Sequence, residues 1–86
     1  MKKIYVATKL RAEDCDGSTV FVLAVGSYDD CKKAVRSAWE SVAEHEDIGD
    51  FDENDPKEWS CYIEDSVSYT LTFEIHCVEV NKDLGV

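Results

Sequence analysis

V-S-Y-T-L-T-F-E-I-H-C, residues 67–77, is the clearest alternating run in the chain. Val67, Tyr69, Leu71, Phe73, Ile75 and Cys77 fall on one side, and Ser68, Thr70, Thr72, Glu74 and His76 on the other. Side chains on a strand point to opposite faces in turn, so this pattern predicts a half-buried β-strand. Just before it, Glu64-Asp65-Ser66 reads as a tight turn and Trp59–Ile63 as the strand that precedes it.

Further toward the N-terminus, residues 28–46 change period. Cys31, Val35, Ala38, Val42 and His45 recur at helical spacing, flanked by Ala34 and Trp39, which predicts an amphipathic helix. Ser27 with Asp30 three residues later resembles a capping box, and Asp29 and Asp30 suit the positive end of the helix dipole. Gly49 is the expected terminator, and His45 a charge favourable to the dipole near the helix end. Residues 19–26, T-V-F-V-L-A-V-G, are almost wholly apolar and are expected to form a strand that is central or covered on both faces. Residues 3–10 alternate, with Ile4, Val6, Thr8 and Leu10 on one face. A long polar connection ending in Asp16-Gly17 joins these two strands as a hairpin.

The element order is therefore β-β-α-β-β, an α+β fold. A four-stranded antiparallel sheet with one amphipathic helix packed on one face is the simplest two-layer arrangement. The expected core is Ile4, Val6, Val22, Val35, Ala38, Val42, Ile63, Leu71, Phe73 and Ile75. Eighty-six residues make one domain, 1–86, with 81–86 as a frayed tail.

Composition narrows the function classes. Nineteen acids against nine bases give a net charge of −10, which repels nucleic acid and anionic membrane and attracts basic proteins. The N-terminus lacks the apolar core of a signal peptide, and no run approaches the roughly 20 apolar residues of a membrane span. The expected location is the cytoplasm of a bacterial host. Cys15, Cys31, Cys61 and Cys77 include no C-x-x-C pair and are expected to be ordinary thiols.

No catalytic constellation survives inspection. His76 and Cys77 are sequence neighbours, but on a strand they point to opposite faces. Asp50, Asp52 and Asn54 match the first, third and fifth positions of an EF-hand loop. Asp55 then stands where that loop needs glycine, and Cys61 where it needs glutamate. The four glycines are scattered and form no phosphate-cradling loop. The expectation is a protein without catalytic residues, metal or cofactor.

What remains is the connecting segment Glu44–Glu58, with eight carboxylates, one lysine and a local net charge of −7. Glu44, Glu46, Asp47, Asp50, Asp52, Glu53, Asp55 and Glu58 are the candidate contacts for a basic partner of the nucleic-acid-handling kind. Phe51, with Ile48, is either an apolar anchor for that partner or a lid over the open end of the core. Stretched fully, fifteen residues span about 50 Å and carry one net charge per ~7 Å. Duplex DNA carries one per ~1.7 Å of axis. The segment imitates a short phosphate track at most, and would need help from Glu13, Asp14, Asp16, Glu64, Asp65 or a homodimer mate. The competing expectation is a structural or self-assembling protein whose acid is a solvated loop serving solubility.

In size, charge and element order the chain resembles the small acidic proteins of phages and mobile elements, including anti-CRISPR and anti-restriction inhibitors. The stretch Val25–Ala34, a strand running into a capped helix, also looks like a module common in phage proteins. This resemblance implies an inhibitor that occupies a nucleic-acid groove on a host defence protein, and it carries over no contact residues. Lys32, Lys33 and Arg36 depart from a uniformly acidic mimic, so mimicry would be confined to one side.

Overall fold

Ser27 accepts a hydrogen bond on its side-chain oxygen from the Asp30 backbone N–H at 3.1 Å, and the chain turns there from strand into helix. The computed structural model describes residues 2–14, 17–64 and 66–80. Its elements are β1 (Lys2–Glu13), β2 (Gly17–Gly26), α1 (Tyr28–Ala43), a single 3-10 turn (Pro56–Glu58), β3 (Ser60–Ile63) and β4 (Tyr69–Val80). The strands form one antiparallel sheet in the order β2-β1-β4-β3, with α1 against one face. The α+β, β-β-α-β-β architecture read from the sequence is the one observed. The expected frayed tail 81–86, and Cys15, Asp16 and Asp65, lie outside the described residues.

The core consists of Ala7, Cys31, Val35, Trp39, Trp59, Ile63, Leu71 and Phe73. From α1 come Cys31, Val35 and Trp39, three residues spaced by four, with Ala38 and Val42 half-buried beside them. Leu71 and Phe73 of β4 are buried and Tyr69 and Ile75 pack against them, as the alternation predicts; Val67 and Cys77 lie exposed.

Three corrections concern the N-terminal hairpin. Ile4, Val6 and Val22 were expected in the core, yet they lie on the face away from α1. Register explains it. Antiparallel partners share a face, and Leu71, Phe73 and Ile75 sit opposite Arg11, Lys9 and Ala7. The helix side of β1 is therefore Tyr5, Ala7, Lys9 and Arg11, and Ile4, Val6 and Leu10 turn away. Ala7 is fully buried, and its small side chain leaves room for the helix. Lys9 and Arg11 are accommodated over aromatic rings, the Lys9 ammonium 4.8 Å from the Phe21 ring centre and the Arg11 guanidinium 3.9 Å from that of Tyr69.

Second, β2 is an edge strand rather than a central one, because β4 occupies the other side of β1. A bulge beside Ala7 and Thr8 inserts Leu23 into β2, so that Leu23 and Ala24 both pack toward the core. Val20, Val22 and Val25 face solvent, 60–64% exposed. Third, the hairpin connection is short. The polar residues Arg11–Glu13 continue β1 rather than forming a long loop. The helix also ends at Ala43, earlier than the expected 46, so His45 lies exposed beyond it and Gly49 is not its terminator.

Candidate functional site

The acidic segment leaves the C-terminal end of α1 and returns to the sheet through the 3-10 turn. Its chain is held at two points by the only two tryptophans. Trp39, on α1, donates its indole N–H to the Gly49 carbonyl at 3.0 Å. Trp59, just before β3, donates its own to the Asp52 carbonyl at 2.7 Å. Gly49 takes φ +80°, a conformation that costs glycine little and a larger side chain much more.

Between these clamps Phe51 turns inward. Its ring stacks on Trp59 at 5.1 Å between centroids and lies 6.0 Å from Trp39, which in turn sits 5.7 Å from Phe73. Ile48 packs on the same cluster. Of the two roles open to Phe51 in the sequence, this packing gives it that of a lid over the end of the core.

With the apolar side chains drawn in, the carboxylates point out, but not all to the same purpose. Asp52 accepts the Asn54 backbone N–H at 3.1 Å, and Asp55 accepts that of Lys57 at 3.2 Å, capping the 3-10 turn that Pro56 opens. Glu53 pairs with Arg36 of α1, whose guanidinium lies 5.8 Å from the Phe51 ring. That pair is half exposed and contributes at most about 1 kcal/mol. Lys32, Lys33, Arg36, Asp29 and Glu53 line a shallow cleft of about 250 Å³ on this side, where the charges offset one another.

Around the other side, Glu44, Glu46, Asp47 and Asp50 line an open groove with His45 and Gly49. The groove's lining holds no lysine or arginine, although Lys9 lines the neighbouring pocket with His45 and Glu46. Glu58 is exposed at the far end of the segment. The predicted site residues thus divide. Asp52, Glu53 and Asp55 shape the loop, Phe51 anchors it, and Glu44, Glu46, Asp47, Asp50 and Glu58 are left to present charge.

Trp39 and Trp59 were missed as site-forming residues. The signal available was their position, one on each side of the acidic run, each with an indole N–H that needs a partner when buried. Among the described residues no three His, Cys, Asp or Glu side chains gather as metal ligands. Cys31 is a buried free thiol, Cys61 half-buried and Cys77 exposed. Burial pushes the Cys61 thiol up from its ordinary value, partly offset by a backbone hydrogen bond at Leu71. No helix among the described residues is long and apolar enough to cross a membrane. No protein-family model, curated protein or solved structure shows significant similarity to the chain.

Proposed function

We propose that the protein is a small binding module that docks its ordered acidic loop onto a basic, nucleic-acid-handling protein, in the manner of an inhibitor that fills a phosphate-binding surface. The observation that carries this reading is the pair of indole clamps. A loop serving only solubility gains nothing from a fixed shape. Here two tryptophans and a half-buried phenylalanine hold the backbone while the carboxylates of Glu44, Glu46, Asp47 and Asp50 stay unpaired around one groove. Fixing a loop before binding reduces the ordering cost at the moment of association. Unpaired charge on such a loop raises the encounter rate with a basic surface and sets its register.

The test follows from the division of the carboxylates. Glu44→Gln, Asp47→Asn, Asp50→Asn and Glu58→Gln together remove four charges whose side chains hold nothing in place, so the loop keeps its shape. Immobilised parent chain should capture basic nucleic-acid-binding proteins from a bacterial lysate at low salt. It should lose them as salt rises and the screening length falls below about 10 Å. The quadruple variant should capture them much more slowly. If it captures the same proteins at the parent's rate, the acid is a solvated loop and the proposal fails.

A further inference from the structure

We propose that the sheet face turned away from α1 is the contact surface of a homodimer in which two copies stack sheet on sheet. This stands independently of the acidic loop's role. The molecule is a slab 18 Å thick in its shortest dimension, one helix layer on one sheet layer. No described residue covers its second sheet face, and much of that face is apolar where a solvated face alternates to polar. Val20, Val22 and Val25 of β2 are 60%, 64% and 62% exposed, and Val78 and Val80 of β4 are 44% and 39% exposed. Ile4, Val6 and Leu10 lie between them on β1, in register with Val78, with His76 and Val25, and with Val20 respectively. The polar side chains of this face are mostly Thr70, Thr72, Glu74 and His76 of β4 with Ser60 and Tyr62 of β3, which form one flank; Thr8 lies within β1, 3.1 Å from His76, and Ser18 at the end of β2.

Charge identifies the occupant. In a chain of net charge −10, the described part of this face holds one cation, Lys2, and two anions, Glu74 and Asp14, the latter bonded by the Tyr62 hydroxyl at the β3 end. Nucleic acid would need cations there, and a basic protein would need acids. An anionic membrane repels the chain as a whole. A weakly charged surface rich in aliphatic side chains is complementary to another like itself. Stacking leaves each copy's acidic loop, which packs on the helix side of its own sheet, away from the contact, so the like charges stay apart.

Area agrees. β1 and β4 are twelve residues long. Three long strands at about 3.4 Å per residue and about 4.8 Å between strands give a face of roughly 40 by 14 Å. Two copies then cover about 1,100 Å² before the corrugation of the side chains is counted, which clears the ~1,000 Å² expected of a specific interface. Sheets that pack this way keep their strands within about 30° of each other. Valine loses little side-chain freedom when it is buried, which favours the contact.

Sedimentation or light scattering of the full chain at micromolar concentration should give twice the 9.7 kDa mass of one copy. Val22→Glu, at a position that touches no core residue, should halve that mass while the helical circular-dichroism signal stays. Val78→Lys, on a different strand, should do the same, so that the result does not depend on the folding of one variant. Thr19→Glu places a charge on the same edge strand but on the helix side, and the dimer should survive it. In a mixed sample of labelled and unlabelled parent chain, intermolecular methyl contacts should join valines of β2 and β4. A parent chain that stays monomeric overturns the proposal. So does a dimer that Thr19→Glu dissolves as readily as Val22→Glu, since pairing through the β2 edge would then be responsible.

Discussion

Replacing Phe51 with alanine separates a lid from an anchor, and the packing around the ring sets the size of the effect. Removing a fully buried phenylalanine costs about 3–5 kcal/mol. Phe51 is half-buried, which scales the loss to about 2 kcal/mol. Its two aromatic neighbours account for part of that loss. The ring stacks on Trp59 and tilts against Trp39, and aromatic pairs contribute about 0.5–1.5 kcal/mol each. For a domain of this size each kcal/mol moves the midpoint by about 4–8 °C, so Phe51→Ala should lower the Tm by about 8–16 °C. Thermal melts followed by circular dichroism, with a guanidinium titration alongside, measure this directly. The denaturation midpoint should fall with little change in slope, because the same sheet and helix unfold. Phe51→Leu should recover part of the loss by refilling the space between the tryptophans. An exposed anchor behaves otherwise, since surface substitutions stay within about 0.5 kcal/mol. A Tm within about 4 °C of the parent would show that the ring is not part of the core and would refute the lid.

Two further outcomes test the sheet and the thiols. Ala7→Leu should destabilise by about 1–3 kcal/mol in a guanidinium titration, because Ala7 is fully buried under α1 and a larger side chain overpacks that contact; an unchanged midpoint would mean that the helix does not rest on β1 there. Among the three described cysteines, alkylation by iodoacetamide near neutral pH, read by mass spectrometry, should label exposed Cys77 first. Cys61 should follow more slowly, because burial raises its thiol and leaves less thiolate, and buried Cys31 should react only as the fold opens.

The sequence announced the parts of the fold that depend on one element at a time. The alternation of β4 gave its buried side through Leu71 and Phe73, and Ser27 with the spacing of Cys31 and Val35 gave the helix and its inner face. What required two elements was not legible. Alternation in β1 is compatible with either face pointing inward, and only the register that sets Ala7 opposite Ile75 chooses between them. The apolar run of β2 matched a central strand, but strand order is a property of the whole sheet, and the pairing of β1 with β4 put β2 at the edge. The same holds at the candidate site. The charge of Glu44–Glu58 is plain in the sequence. Asp52 and Asp55 are consumed locally, by backbone N–H groups two residues on, but the pairing of Glu53 with Arg36 and the ties of the loop backbone to Trp39 and Trp59 depend on distant partners.

The placement of the two indoles also equips the protein with an optical readout. Tryptophan dominates near-ultraviolet emission, and both tryptophans of this chain lie beneath the one acidic loop, each tied to its backbone. Lifting the loop would break both ties at once and admit water to both rings, shifting the emission to longer wavelength. The circular-dichroism signal of α1 reports the other layer separately. A melt or titration followed at the two signals therefore distinguishes loop release from global unfolding without any label.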